Sequence, residues 1–198
     1  MIEVKDVSKS FGDKNVLCGA SLRVTGECAA LMGESGGGKT TLLRVIASLE
    51  KADAGDVNVL GKTAVAFAEP RLFEHFRVID NVMCVMPREN GKAKNEKRAR
   101  ELLRSLLPDG AEKLYPRELS SGMAARVSLA RALAFDAENI LLDEPLRALD
   151  EETKRAVIEV LKKEIFGKSV IIVTHSESDA DALGARKYLL VDGKISEK

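Results

Sequence analysis

Residues 33–40 read Gly33-Glu34-Ser35-Gly36-Gly37-Gly38-Lys39-Thr40 and fit the pattern G-x-x-x-x-G-K-[ST]. No other stretch constrains the fold as tightly. The preceding Cys28-Ala29-Ala30-Leu31-Met32 is a short, continuously apolar run, as expected of a buried parallel strand. The following Thr40 to Leu49 carries apolar residues at helical spacing through Leu42, Leu43, Ile46, Ala47 and Leu49. A glycine-rich loop between strand and helix lets successive backbone N–H groups curl around phosphate oxygens without a Cβ clash. The helix N-terminus adds partial positive charge. Lys39 then reaches the β and γ phosphates of a nucleotide, and the Thr40 hydroxyl ligates Mg²⁺. The candidate binding set is Gly33, Glu34, Ser35, Gly36, Gly37, Gly38, Lys39, Thr40 and the adjoining Thr41. A bare glycine-rich turn is the competing reading, and the flanking strand and helix disfavour it.

The rest of the chain alternates strand and helix. Ile2 to Val7 and Ala20 to Val24 read as half-buried strands, and Val57 to Leu60 and Thr63 to Phe67 as strands joined by a turn at Gly61-Lys62. From Pro70 to about Ser121 the sequence is charged and helical, with turn signals at Glu89-Asn90-Gly91 and Pro108-Asp109-Gly110. Strand and helix then alternate again: Ile140 to Leu142, Glu151 to Ile165, Val170 to Val173, Asp179 to Leu183, Tyr188 to Val191. This order implies an α/β fold with a mostly parallel sheet and a helical insertion. The strand Ile140-Leu141-Leu142 ends in Asp143-Glu144. An aspartate there can hold Mg²⁺, and the adjacent Glu144 can polarise a water attacking the γ-phosphate. Taken alone, the pair also suits an ordinary strand-to-turn surface.

Composition narrows the function class. Lysine plus arginine equals aspartate plus glutamate, 31 against 31, so a net-basic nucleic-acid binder is not favoured. Runs such as Val170-Ile171-Ile172-Val173 are far too short to span a bilayer, and the first residues lack a signal-peptide pattern. Cys18, Cys28 and Cys84 are widely spaced and odd in number, as expected of reduced, buried thiols.

Leu119-Ser120-Ser121-Gly122-Met123, followed by Ala124 to Leu133, resembles the signature motif and helix of the ABC transporter ATP-binding subunits. Asp143-Glu144-Pro145-Leu146-Arg147-Ala148-Leu149-Asp150 is similar to the family's acidic pair and D-loop, and Val173-Thr174-His175 to its switch histidine. Phe11 lies where the family places an adenine-stacking aromatic. Glu69 to Phe73, with Asp80-Asn81-Val82, is most similar to importers of nitrate, sulfonate and taurine type. The resemblance covers nearly the whole chain.

It implies a P-loop NTPase fold with a mostly parallel core (1–69 and 126–198), an N-terminal antiparallel β portion and an inserted helical subdomain (70–125), all forming one domain. It implies ATP and Mg²⁺ as cofactors. Lys39, Glu144 and His175 would be catalytic, and Thr40 and Asp143 would hold the metal. Phe11, Ser120, Gly122 and Asp150 would join the nucleotide-binding set. The implied partners are a second cassette in a head-to-tail homodimer, a membrane permease docking near Phe67 to Asn81, and a substrate-binding protein of the same system, with no nucleic acid. The implied place is the cytoplasmic face of the membrane.

The chain also departs from the family. Ala68 stands where a glutamine is usual, with Glu69 a neighbour able to replace it in part. Ser121 replaces a glycine of the signature, and Met123 a glutamine. These changes leave a second reading open, a nucleotide-gated subunit that closes on ATP but hydrolyses weakly, or the degenerate half of a heterodimer. On its own, Phe11 reads more readily as a core aromatic and His175 as an ordinary strand-end histidine, and His75 reads as a surface residue of the insertion.

Overall fold

The computed structural model describes residues 1–147 and 149–198; Ala148, in the stretch resembling the D-loop, lies outside the described residues. Nine strands and six α-helices follow one another along the described chain. Strand β1 (Ile2–Phe11) pairs antiparallel with β2 (Lys14–Val24) on one side and β4 (Ala54–Val59) on the other. The main sheet has six strands in the order β5-β6-β7-β3-β8-β9. They are β5 (Thr63–Ala66), β6 (Asn139–Asp143), β7 (Ser169–Val173), β3 (Cys28–Met32), β8 (Arg186–Val191) and β9 (Lys194–Glu197). All neighbours are parallel except β8 and β9.

The continuous apolar runs follow from this placement, because the sheet is covered on both faces. Ile140, Leu142, Val170 and Ile172 enter a core shared with helices α2 (Val78–Met83), α3 (Lys92–Leu106), α4 (Ser121–Ala134) and α5 (Glu151–Glu164). Their neighbours Leu141, Ile171 and Val173 enter a second core with the antiparallel sheet and α1 (Lys39–Ile46). Helix α4 runs across position 125, so it joins the helical region to the sheet. A sixth helix, α6 (Glu177–Ala182), follows β7.

Val57 to Leu60 and Thr63 to Phe67 fall on strands β4 and β5, with Gly61-Lys62 between them, but the two strands do not pair with each other. Ile2 pairs with Val59, whereas Thr63 pairs with Asn139, so the two strands belong to different sheets. The turn between them is fastened from outside: the Asn139 side chain donates to Leu60 O and Lys62 O, and Glu138 accepts from Lys62 N at 2.7 Å. Strand β9 was not anticipated. It returns from β8 through Asp192-Gly193, both at positive φ, the backbone of a tight hairpin turn. The cysteines are free, but Cys84 is exposed rather than buried, because it ends the short helix α2 on the surface. Cys28 is mostly buried, and that burial pushes its thiol up to about 12.

Candidate functional site

The strand order brings three chain segments to one edge. Strand β7 lies between β6 and β3, so the loops leaving the C-terminal ends of all three are neighbours. They carry Gly33–Gly38, Asp143-Glu144 and Thr174-His175. Ligands of open α/β sheets bind at such edges.

The loop after β3 has the backbone its glycines permit. Gly33 has φ +143, and a Cβ there would lie 2.4 Å from Leu190 O. Gly38, the N-cap of α1, has φ +99, and a Cβ would lie 2.9 Å from Val16 O. No side chain caps that helix, so the N–H groups of its first turn are free to face a ligand. The Lys39 ammonium is folded back on the loop, donating to Gly33 O at 2.9 Å and Glu34 O at 2.6 Å. Burial pushes its pKa down, while the Glu144 and Asp143 carboxylates push it back up. The Gly37 N–H donates to Glu34 O and closes the loop.

At its far side the loop meets the acids. Thr40 Oγ1 donates to Asp143 Oδ2 at 2.7 Å. Asp143 is buried, and its pKa is raised by that burial, with the Thr40 hydrogen bond acting against the rise. A hydroxyl and a buried carboxylate oxygen, side by side, are the hard oxygen donors that Mg²⁺ accepts. The residues therefore fit the metal.

Glu144 has φ +50, a left-handed backbone rare outside glycine and held here by its N–H donating to Val173 O. Its side chain is engaged at both oxygens: Oε1 lies 2.9 Å from His175 Nε2, and Oε2 lies 3.2 Å from Arg147 Nη1. Ser35, Gly36, Gly38, Lys39, Thr40, Thr41, Ala68, Asp143, Glu144, Arg147 and His175 line one cavity of about 260 Å³. Arg147 is a further site residue that sequence reasoning missed. Its spacing of three residues from Glu144, across Pro145-Leu146, was the available signal.

Other candidates stand apart from this cavity. Phe11 is 49% exposed at the end of β1, with Lys9 Nζ 5.1 Å from its ring centroid, so it is not a core aromatic. Ser120 caps α4, accepting from Met123 N at 3.2 Å, and Gly122 opens onto empty space. The Asp150 carboxylate caps α5 by accepting from Thr153 N and Thr153 Oγ1, which holds its pKa down. Ala68 shares an outer cleft with Thr40 and Asp143, and Glu69 lines only that cleft, 3.8 Å from Arg71. His75 is exposed.

A further feature lies at the margin of the helical region. Phe73 and Phe76 are exposed with ring centroids 5.3 Å apart. The fully buried Asn81 holds the loop that presents them: its side chain accepts from Phe73 N and donates to Phe73 O, Phe76 O and Arg77 O. No helix among the described residues is long and apolar enough to cross a membrane.

Comparison with known proteins agrees with this geometry. Residues 20–147 match the family model described as ABC transporter. The chain is 43% identical over 198 residues to an aliphatic sulfonates import ATP-binding protein of Corynebacterium glutamicum, covering 98% of this chain and 81% of the relative. It is 38% identical to a sulfate/thiosulfate import ATP-binding protein of Halalkalibacterium halodurans, covering 99% of this chain and 60% of that longer relative. Among solved structures, a dimeric ATP-binding cassette in a post-hydrolysis state bound to ADP and Pi superposes with a TM-score of 0.88 at 30% identity, covering 100% of this chain and 98% of that one.

Proposed function

Because the chain belongs to the ABC transporter family, as its ATP-binding subunit, we propose a division of labour among the residues around its phosphate loop. The protein is an ATPase that drives transport through a separate membrane permease, working as a head-to-tail dimer of cassettes. The carrying observation is the single cavity shared by Lys39, Thr40, Asp143, Glu144 and His175.

In this reading the loop N–H groups from Gly33 to Thr41 and the Lys39 ammonium bind the β and γ phosphates. Thr40 and Asp143 hold Mg²⁺, which supplies charge neutralisation of the phosphates. Glu144 orients the attacking water and accepts its proton. The water oxygen bonds to the γ phosphorus as the bond to the β,γ-bridging oxygen breaks, and its electron pair leaves with ADP. His175 holds Glu144 and senses the γ-phosphate. Positioning and charge do most of the work in such transfers. Phe11 stacks on adenine; Ser120, Gly122 and Asp150 serve the interface with the second, identical cassette.

The helical segment 70–125 is the moving part. Permease helices dock against Phe73 and Phe76, whose loop Asn81 holds rigid. The complex sits at the cytoplasmic face of the membrane, with a substrate-binding protein delivering cargo. The sulfonate and sulfate relatives favour a sulfur oxyanion as that cargo.

Glu144→Gln tests the core of this reading. ATP binding should persist while hydrolysis slows by about a hundredfold or more, the scale of losing a general base. Lys39→Ala should lose nucleotide binding itself. Near-normal turnover in Glu144→Gln would remove the assigned base.

A further inference from the structure

We infer that Arg147 is a ligand of the γ-phosphate supplied by the same chain, resting on Glu144 between turnovers. This rests on the phosphate-loop reading above.

Arg147 comes to the cavity by local geometry. Its backbone N–H donates to Glu144 O at 3.1 Å, closing a turn with Pro145 and Leu146 at the centre. Proline pre-sets the φ such a turn needs. The guanidinium folds back over the turn to Glu144 Oε2 at 3.2 Å. It thus lines the same cavity as Gly36, Lys39, Thr40 and His175. Lys39 and Arg147 bring positive charge to that cavity from two places, Lys39 over the loop carbonyls of Gly33 and Glu34 and Arg147 beside Glu144.

The ion pair with Glu144 is easy to exchange. Glu144 is only 16% exposed, but the Arg147 side chain is 73% exposed, so the guanidinium keeps most of its hydration and leaves the pair at small cost. A terminal phosphate carries more charge than a carboxylate and offers oxygens that match the planar guanidinium fork. ATP therefore draws Arg147 off Glu144, whereas ADP, lacking the γ-phosphate, leaves the pair in place. The exchange has a second consequence: it frees Glu144 Oε2 to face the attacking water. His175 keeps its contact with the other oxygen, at 2.9 Å.

The test compares nucleotides rather than rates alone. Affinities for ADP and for the non-hydrolysable β,γ-imido analogue of ATP are measured on the whole chain, Arg147→Ala, Arg147→Lys and Lys39→Ala. Arg147→Ala should lose about tenfold in affinity for the ATP analogue, the scale of one hydrogen-bonded charge. Its ADP affinity should stay within about twofold of the original. Its kcat should fall, and Arg147→Lys should recover part of both losses. Equal losses for ADP and the analogue would overturn the inference, because they would mark a merely structural residue. An unchanged analogue affinity with altered kcat would overturn it too, leaving Arg147 acting on Glu144 alone. Lys39→Ala separates this from the underlying reading: if it still binds both nucleotides, the phosphate-loop assignment itself fails, whatever Arg147 does.

Discussion

The phosphate loop and the start of α4 are both helix N-termini with glycine beside them, yet they differ in what surrounds them. At α1 the free N–H groups sit in a cavity with Lys39, Thr40, Asp143, Glu144 and His175. At α4 Ser120 already caps the helix, and a Cβ on Gly122 would meet nothing within 4 Å. One end gathers its phosphate and metal groups within a single chain. The other has binding chemistry but nothing to bind within its own chain. That is the form expected of two half-sites that finish each other across a dimer, like the dimeric cassette it superposes on. Two departures from the family, Ser121 and Met123, lie in α4, and the third, Ala68, lines the α1 cavity, whereas the loop and acids match the family.

The largest expected effect breaks the comparison most directly. Ser120→Arg should reduce hydrolysis by about a hundredfold or more, the scale of losing a preorganised group at the transferring phosphate. ATP binding to the single chain should remain nearly intact. Specific activity of the unaltered protein should rise with its concentration. Activity that ignores both concentration and Ser120→Arg would mean that the α1 end works alone.

Phe11 comes next. It lies outside the cavity, exposed at the rim of the antiparallel sheet. Phe11→Ala should weaken ATP binding by about 1–2 kcal/mol if an adenine ring stacks there. Discrimination between adenine and guanine should change little, since stacking reads a π-face. Unchanged affinity by calorimetry would leave Phe11 without a nucleotide role.

The third effect is on stability. Burial raises the Asp143 pKa, so the native state holds that proton more tightly than the unfolded chain. Stability therefore falls as pH rises through the ordinary aspartate range towards the raised native value. Asp143→Asn should raise the Tm of the nucleotide-free protein at neutral pH, while removing Mg²⁺-dependent hydrolysis. Below the carboxylate range the gain should vanish, because Asp143 is then protonated anyway. A lowered Tm at neutral pH would show that the site is not strained by its own charge.

Much of this was readable in the chain, for physical reasons specific to each element. The phosphate loop was legible because its chemistry is local: glycines, lysine and threonine act within eight positions of one another. The β6 acids were legible because an apolar run ends abruptly in charge. The separation of β4 from β5 was not, since only distant partners, Ile2 and Asn139, decide it. Strand β9 was readable in principle from Asp192-Gly193, but its short, mostly exposed sequence gives no apolar signal. Phe11 stayed ambiguous because an aromatic at a strand end suits a core or a surface, and packing alone decides. The Arg147–Glu144 contact was hidden for another reason. A turn can aim a side chain at its own first residue or away from it, and spacing does not say which.

The smallest expected effect concerns the rim itself. Ala68 borders both the inner cavity and the outer cleft, and both are lined by Thr40 and Asp143. A glutamine at this position could place an amide oxygen near the metal donors. The metal would otherwise rely on Thr40, Asp143, phosphates and water. Ala68→Gln should therefore lower the Mg²⁺ concentration for half-maximal hydrolysis by about threefold, less than the tenfold that an outer-shell partner can contribute. The gain is small because a long, flexible side chain gives up rotamer freedom to reach the metal. Glu69 offers a rival explanation, since it lines the outer cleft beside the same donors, although Arg71 draws its carboxylate away. If Glu69 already serves the metal, Glu69→Ala should raise the Mg²⁺ requirement by more than Ala68→Gln lowers it. Measuring both variants across a Mg²⁺ titration separates the cases. If neither curve moves, the rim takes no part in metal binding, and the phosphate loop and β6 acids hold the ion without it.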